Sequence, residues 1–433
     1  MNKKYLIIGG AIAVLLIVLL AVVFGGGGSN KPSEQKEIEI VWWKTFEESE
    51  NVNPLIEAYQ ESHQNIKITF VKKDIADYEQ ELVDAIASGR TPDIFTIHND
   101  WLPKHIDKLA PAPDSLITSR AYKETFIDAA SADFIKDGKI YAFPLSVDVL
   151  TLYYNKDLLN SAGVLPPKTW PELVAAVEKI TRQAKPGTFN VSAVALGTSA
   201  NVNRAVDILL LLMLQNGTQF YSDNGSSAVF DNEVNLPNRE TFNPGATALE
   251  FYTQFADPGK KVYTWNSKSD FSLDAFTSGK VAMIFSYAYL MPTLRARAPN
   301  LNWAVAPIPQ IDQSGLKVNF ANYWGEAVSK FSGDQAVAWD FLKFISEKEN
   351  LKKYYEKKKL PSSRKDILTE QAADEEIGVF AEEALSARTV YKKDVAKFES
   401  IFLKMIDDVV LRNLSVEDAI RNAAASVNLL IKN

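Results

Sequence analysis

Apolar and polar positions along this chain switch between a period of two and a period near 3.6, as strands alternating with helices do. Ile38–Trp43 reads as a first strand. Asn53-Pro54 caps a helix running through Tyr59, with Pro at the first helical position, where no N–H is needed. Ile66–Val71 is a second strand, Tyr78–Ala87 a helix and Asp93–His98 a third strand. This order predicts a mainly parallel sheet with helices on both faces. Asp137-Gly138, between apolar runs, is a tight-turn signal, because Gly tolerates the positive φ of a two-residue hairpin loop. Val147–Tyr154 has the β-branched and aromatic composition of a strand, with Asp148 a lone carboxylate inside it. Thr169 then caps a helix, with Pro171 in its first turn and Glu172 three residues after the cap.

The alternation continues through a strand near Val191–Leu196, an apolar helix at Val206–Leu214 and another helix at Ala246–Phe255. Phe271–Phe276 reads as helical and Gly279 breaks it before the strand Val281–Phe285. Asn302–Ile308 is a strand that Pro307 and Pro309 terminate, and Ala336–Ile345 and Leu351–Tyr355 are helices. A last amphipathic helix carries Val416, Ala419, Ile420, Ala423, Val427 and Leu430 on one face, with Ser415 and Asp418 forming its capping box.

Tyr5–Phe24 is an uncharged run of 20 residues, about 30 Å as a helix and so enough to cross a bilayer. Lys3 and Lys4 precede it, which places the N-terminus in the cytoplasm and the rest outside. A cleaved secretory signal is the competing reading, although its apolar core is usually about 7–15 residues and Ala21-Val22-Val23 is a poor cleavage site. The retained membrane anchor is therefore expected. Gly25–Lys36 is a polar linker with a reach of about 20 Å. The chain has no cysteine, which excludes disulfides, thiolate chemistry and a lipid anchor on an N-terminal Cys. Its three scattered histidines give no metal-ligand spacing. A net charge of −7 argues against a nucleic-acid partner. Lys352, Lys353, Lys357, Lys358 and Lys359 form a basic run that reads as a solvated helix face.

The segment DGKIYAFPLSVDVLTLYYNKDLLNSAG (137–163), followed by KTWPEL (168–173), closely resembles the inter-domain crossover of carbohydrate-binding extracellular solute-binding proteins. These are the receptors of ATP-binding-cassette importers, and the maltose and maltodextrin-binding proteins belong to the same broad group. ASGRTPDIFTIHNDWL (87–102) resembles the family's strand and ligand loop. AFTSGKVAMIFSYAYL (275–290) resembles its Gly-Lys turn, strand and aromatic loop, and AWDFLKFISEKENLKKYYEKKKLPSSRKDI (338–367) its late helical pair and Pro-x-x-Arg turn. The resemblance implies a periplasmic-binding-protein-like α/β fold with two discontinuous lobes. Lobe I would hold 37–147 and 327–370, and lobe II 148–326 and 371–433. Crossovers are expected near Ser146–Val149, Phe320–Ala327 and Ile367–Ala373. It further implies a binder with no cofactor, whose partners are a mono- or oligosaccharide and the membrane-embedded permease of an importer.

Ligands of open α/β sheets bind beyond the carboxyl ends of strands. Trp42 and Trp43 end the first strand on opposite faces, so one belongs to the core and one can face a cleft. Glu47 follows them as a hydroxyl acceptor or an ordinary solvated carboxylate. Asn99, Asp100 and Trp101 combine hydrogen-bonding groups with a flat platform for a pyranose face; capping by Asp100 and packing of Trp101 is the alternative. The resemblance aligns Asp148 with an acidic residue that contacts sugar, and Tyr289, beside Tyr287, with an aromatic that stacks on it. Asn322, Tyr323 and Trp324 sit at the second crossover, and Arg364 in the Pro-x-x-Arg turn can reach ligand or hold the turn. No counterpart of the C-terminal-lobe aromatic of maltodextrin receptors is found, which disfavours a long glucan. Two rival readings are a surface adhesion module and a glycoside hydrolase using Glu47, Asp100 or Asp148. Hydrolysis needs two carboxyls about 5–5.5 or 6.5–9.5 Å apart.

Overall fold

The computed structural model describes residues 36–235, 241–312 and 316–432. The apolar run Tyr5–Phe24 and the linker up to residue 35 lie outside the described residues. Among those described, no helix is long and apolar enough to cross a membrane.

The chain builds one sheet, leaves it, builds a second and returns. Strands β1 (Ile38–Thr45), β2 (Ile66–Lys73) and β3 (Ile94–His98) are parallel, joined by the helices Ser49–Ser62 and Tyr78–Ala87. β4 (Leu109–Ala110) and β5 (Ala142–Pro144) follow before the chain departs. Between Ile135–Lys136 and Lys139–Ile140, Asp137 and Gly138 both take positive φ, 51° and 74°, the pair of conformations a type I′ turn requires. β6 (Asp148–Val149) lies at the waist, and β7 (Thr151–Asn155) enters the second sheet. That sheet is completed by β8 (Arg182–Lys185), β9 (Thr188–Val194), β10 (Val281–Ser286) and β11 (Trp303–Ala306), in the order β8-β9-β10-β7-β11. At the waist again, β12 (Asn319–Asn322) pairs with β6, and β13 (Trp324–Ser329) rejoins the first sheet, whose order is β2-β1-β3-β13-β4 with β5 on β13. β14 (Ala387–Arg388) adds to β12 as the chain passes to the second lobe for the last time.

Three details differ from the sequence reading. Parallel pairing holds for β1–β3 and for β9 with β10, whereas β13, β7 and β11 are antiparallel to their neighbours. β13 comes back from the other lobe and enters the first sheet from the waist, so it runs against β3; residue periodicity carries no such information. β13 also begins at Trp324, so Trp324, Gly325 and Glu326 belong to the first sheet rather than to the second lobe. The first helix starts at Ser49, which puts Pro54 inside it. Pro54 has no N–H for the Glu50 carbonyl, and Lys357 Nζ supplies the missing donor at 2.9 Å.

The first lobe is pinned by a charge at its centre. Glu326 of β13 is wholly buried and accepts from Trp42 Nε1 (2.8 Å), Thr96 Oγ1 (3.2 Å) and Lys44 Nζ, tying β1, β3 and β13 together. A buried carboxylate persists only when paired and hydrogen-bonded in this way.

Three other carboxyls gather at the waist, Glu383 buried and Asp133 and Asp148 half-buried. Asp133 accepts from Tyr323 Oη (2.5 Å), Thr389 Oγ1 (2.7 Å) and Asn99 Nδ2 (3.3 Å). Glu383 accepts from Asn319 Nδ2 (2.8 Å), and Asp148 lies on β6. Burial raises each of them to about 7. A carboxyl raised on folding is protonated in the folded chain and ionised in the unfolded chain between about pH 4 and 7, so stability falls as pH rises through that window. Thermal melts should therefore show a midpoint highest near pH 5 and declining toward pH 8, with a shallower decline in Asp133→Asn. A midpoint that climbs toward pH 8 would contradict this.

Candidate functional site

A cavity of about 940 Å³ opens between the lobes, beyond the carboxyl ends of β1 and β3. The wall of the first lobe is aromatic. Trp324, half-buried at the start of β13, stands edge-on to His98 (5.0 Å), Trp101 (5.3 Å) and Tyr78 (6.4 Å). Phe46 follows β1 in a left-handed conformation (φ 55°), unusual for a residue with a bulky side chain. Its ring is 59 % exposed at the cavity edge, 5.9 Å from Trp324. The opposite wall carries Tyr289, 45 % exposed, stacked on Tyr287 at 5.9 Å. Arg204 donates from Nε (3.0 Å) and Nη2 (2.9 Å) to the Tyr289 hydroxyl, which fixes the ring in the cleft.

Asp148 sets this second wall. Its Oδ1 accepts from the main-chain N–H of Val149 (2.9 Å) and Ala288 (2.8 Å), and its Oδ2 from that of Tyr289 (3.1 Å). Burial lifts its carboxyl to about 7, against the pull of these three donors toward the charged form. The crossover is thereby fastened to the loop that presents Tyr289.

On the floor, His98 Nδ1 meets Asp100 Oδ1 at 2.6 Å and Nε2 meets Asn322 Oδ1 at 3.1 Å. Burial disfavours its charge, but the Asp100 carboxylate and the two hydrogen bonds outweigh that and raise its pKa. Both ring nitrogens facing acceptors is the environment of an imidazolium.

Asp100, Trp101, Asp148, Tyr289, Asn322, Tyr323 and Trp324 therefore line one cavity. The other six expected positions do not. Trp42 is wholly buried in the first core, wedged edge-on between Phe70 and Phe341. Trp43 lies on the opposite face of β1, half-buried under Lys73 Nζ at 4.0 Å. Glu47 is fully buried and saturated by Tyr354 Oη (2.5 Å), Asn51 Nδ2 (2.9 Å) and Lys358 Nζ (3.0 Å). Asn99 turns toward Asp133, and Tyr287 is wholly buried, donating to Asp207 at 2.9 Å. Arg364 bonds Asp366 and the Ser346 carbonyl and holds its own turn.

Sequence reasoning missed Phe46, His98 and Arg204. Phe46 was within reach, since the loop after β1 was singled out but its carboxylate preferred to its aromatic neighbour. Arg204, left-handed (φ 61°) just before the helix Ala205–Gln215, carried no local signal.

Two α/β lobes closing on a shared polar and aromatic cleft define a two-lobed ligand-binding protein. The family model for bacterial extracellular solute-binding proteins matches residues 54–381, and the chain belongs to that family. It is 26 % identical over 275 residues to a Brucella abortus protein named only as a binding protein, spanning 62 % of this chain and 62 % of that relative's length. It is 24 % identical over 312 residues to a maltodextrin-binding protein of Bacillus subtilis, covering 69 % of this chain and 70 % of the relative. The sugar-binding protein MalE from Xanthomonas citri superposes with a TM-score of 0.76 at 20 % identity, over 91 % of this chain and 97 % of that one. Likeness at that identity establishes the fold.

Exposure separates the aromatics by their cost to the unliganded fold. Tyr289→Ala should change unliganded stability by less than about 1 kcal/mol. Trp101→Ala, removing a ring that is 8 % exposed and packed on Tyr78 and Trp324, should cost about 3–5 kcal/mol. Denaturant melts of the two variants check this, and equal losses would mean that Tyr289 is part of a core.

Proposed function

We propose that this protein is an extracytoplasmic receptor that binds a carbohydrate between its lobes and delivers it to an ATP-binding-cassette importer. The observation that carries the reading is the pairing of aromatic faces across one cavity: Phe46 and Trp324 on one wall, Tyr289 on the other. A pyranose has apolar C–H faces and a polar edge, so rings on both walls bury the faces while Asn322 and Arg204 meet the hydroxyls. Ligand must favour the closed form by about 5.5 kcal/mol to move it from 1:99 to 99:1. A few stacked rings and buried hydrogen bonds, at about 1 kcal/mol net each, supply that. Relatives named as maltodextrin- and galactooligosaccharide-binding proteins support the ligand class. The carboxylates that a hydrolase would use are engaged elsewhere: Glu47 is buried and saturated, Asp100 is paired with His98, and Asp148 holds three main-chain donors.

We further propose that Tyr5–Phe24 stays in the membrane after maturation and that Gly25–Lys36 tethers the receptor outside it. Intact mass of the membrane-extracted protein should include this segment, and a mature start near Gly25 would contradict the anchor.

A thermal-shift screen of the full chain against mono- and oligosaccharides should find ligands that raise the midpoint, by about 2.7 kcal/mol of stability at a hundred times the Kd. Phe46→Ala and Tyr289→Ala should shrink the shift. Release of reducing sugar from a bound oligosaccharide, or no shift across the whole screen, would overturn the reading.

A further inference from the structure

The chain is acidic, with a net charge of −7, yet cations outnumber carboxylates among the residues that line its cleft. Nine Lys and Arg side chains line the cavity against five Asp and Glu. Most of the cations are matched by a carboxylate in or behind the lining, as Lys44 is by Glu326, Lys358 by Glu47 and Arg295 by Glu376. Two are not. Lys357 ends the helix Lys348–Lys357 of the first lobe. Lys393 precedes the helix Val395–Val410, which packs in the second lobe. Among the described residues neither has a carboxylate within ion-pair distance. Each donates instead to a main-chain carbonyl without a helical donor, Lys357 to Glu50 (2.9 Å) and Lys393 to Ile431 (2.8 Å). A carbonyl orients an ammonium without neutralising it, and two of the three N–H donors stay available on each.

The lining carboxylates cannot take up this charge. Asp100 is paired with His98, Asp394 with Lys397, Glu79 with Lys104 and Glu399 with Lys392, and burial raises Asp148 to about 7 toward its neutral form. A cleft walled by low-dielectric protein concentrates the resulting positive potential.

Resting on the carbohydrate reading above, we infer that the cleft selects an anionic carbohydrate, carrying a carboxylate or phosphate group held between Lys357 of one lobe and Lys393 of the other. Lys357 and Lys393 line the cavity from different lobes, so closing on a neutral sugar leaves both charges without a counter-charge. Closing on an anion supplies that counter-charge to both walls, and this is the differential interaction that favours the closed state.

Calorimetry on the full chain with trigalacturonate, glucose 6-phosphate and maltotriose, each at low and high salt, tests this. At least one anionic probe should bind about tenfold more tightly than maltotriose and weaken as salt screens the charges. Which of the two does so tells carboxylate from phosphate. Lys357→Gln and Lys393→Gln should each weaken the anionic probe about threefold, and the pair together about tenfold. Unliganded melts of each variant correct for the lost bonds to Glu50 and Ile431. Tighter binding of maltotriose, or anionic binding insensitive to salt and to both substitutions, overturns the inference and leaves the carbohydrate reading standing. Silence of all three probes overturns the inference, while the carbohydrate reading is decided by the wider screen.

Discussion

The carboxylate of Asp148 is where the waist of the molecule and the wall of its cleft become one object. Three main-chain N–H groups converge on it, one from its own crossover strand and two from the loop after β10. Those two belong to Ala288 and Tyr289, so the ring facing the cavity is aimed by the residue at which the chain changes lobes. A desolvated carboxyl is costly unless satisfied, and here the satisfying groups are the backbone of the element that must be positioned. Arg204 completes the arrangement from the other side by gripping the Tyr289 hydroxyl.

The two walls are held by different physics. On the first lobe, the buried Glu326 ties three strands together beneath the cleft, and above it Trp101 stacks on Tyr78 while Trp324 stands edge-on to both. On that wall Trp101 and Tyr78 are part of the core, Trp324 is half-buried and Phe46 is exposed. On the second lobe, Tyr289 is half out in solvent and depends on hydrogen bonds at its two ends. The hinge between them carries Glu383, which is buried, and Asp133 and Asp148, which are half-buried, and desolvation raises each of the three toward neutral pH.

Local chemistry was legible in the sequence. Asp137-Gly138 turns as its residue types demand, Thr169 accepts from the Glu172 N–H as an N-cap does, and Ser415 with Asp418 caps the last helix. The loop after β3 and the crossovers were located because resemblance to a known family supplied the order of segments. What depended on distant partners was not legible. Alternation put Trp42 and Trp43 on opposite faces but not which face had Phe341 waiting on it. Glu47 drew attention as a carboxylate in a loop, while Tyr354 and Lys358, some three hundred residues away, had already claimed it. Strand direction in β13 was hidden for the same reason, since it follows from where the chain has been.

The central claim is that ligand draws the two lobes together across this cavity. With no native cysteine in the chain, Asp77→Cys and Arg297→Cys place single labels on exposed positions beside the cavity residues Ile75, Glu79 and Arg295. The label-to-label distance, read by pulsed electron resonance, should shorten when the carbohydrate found by screening is added, and should do so less in Tyr289→Ala. A distance unchanged at saturating ligand would contradict closure across this cleft.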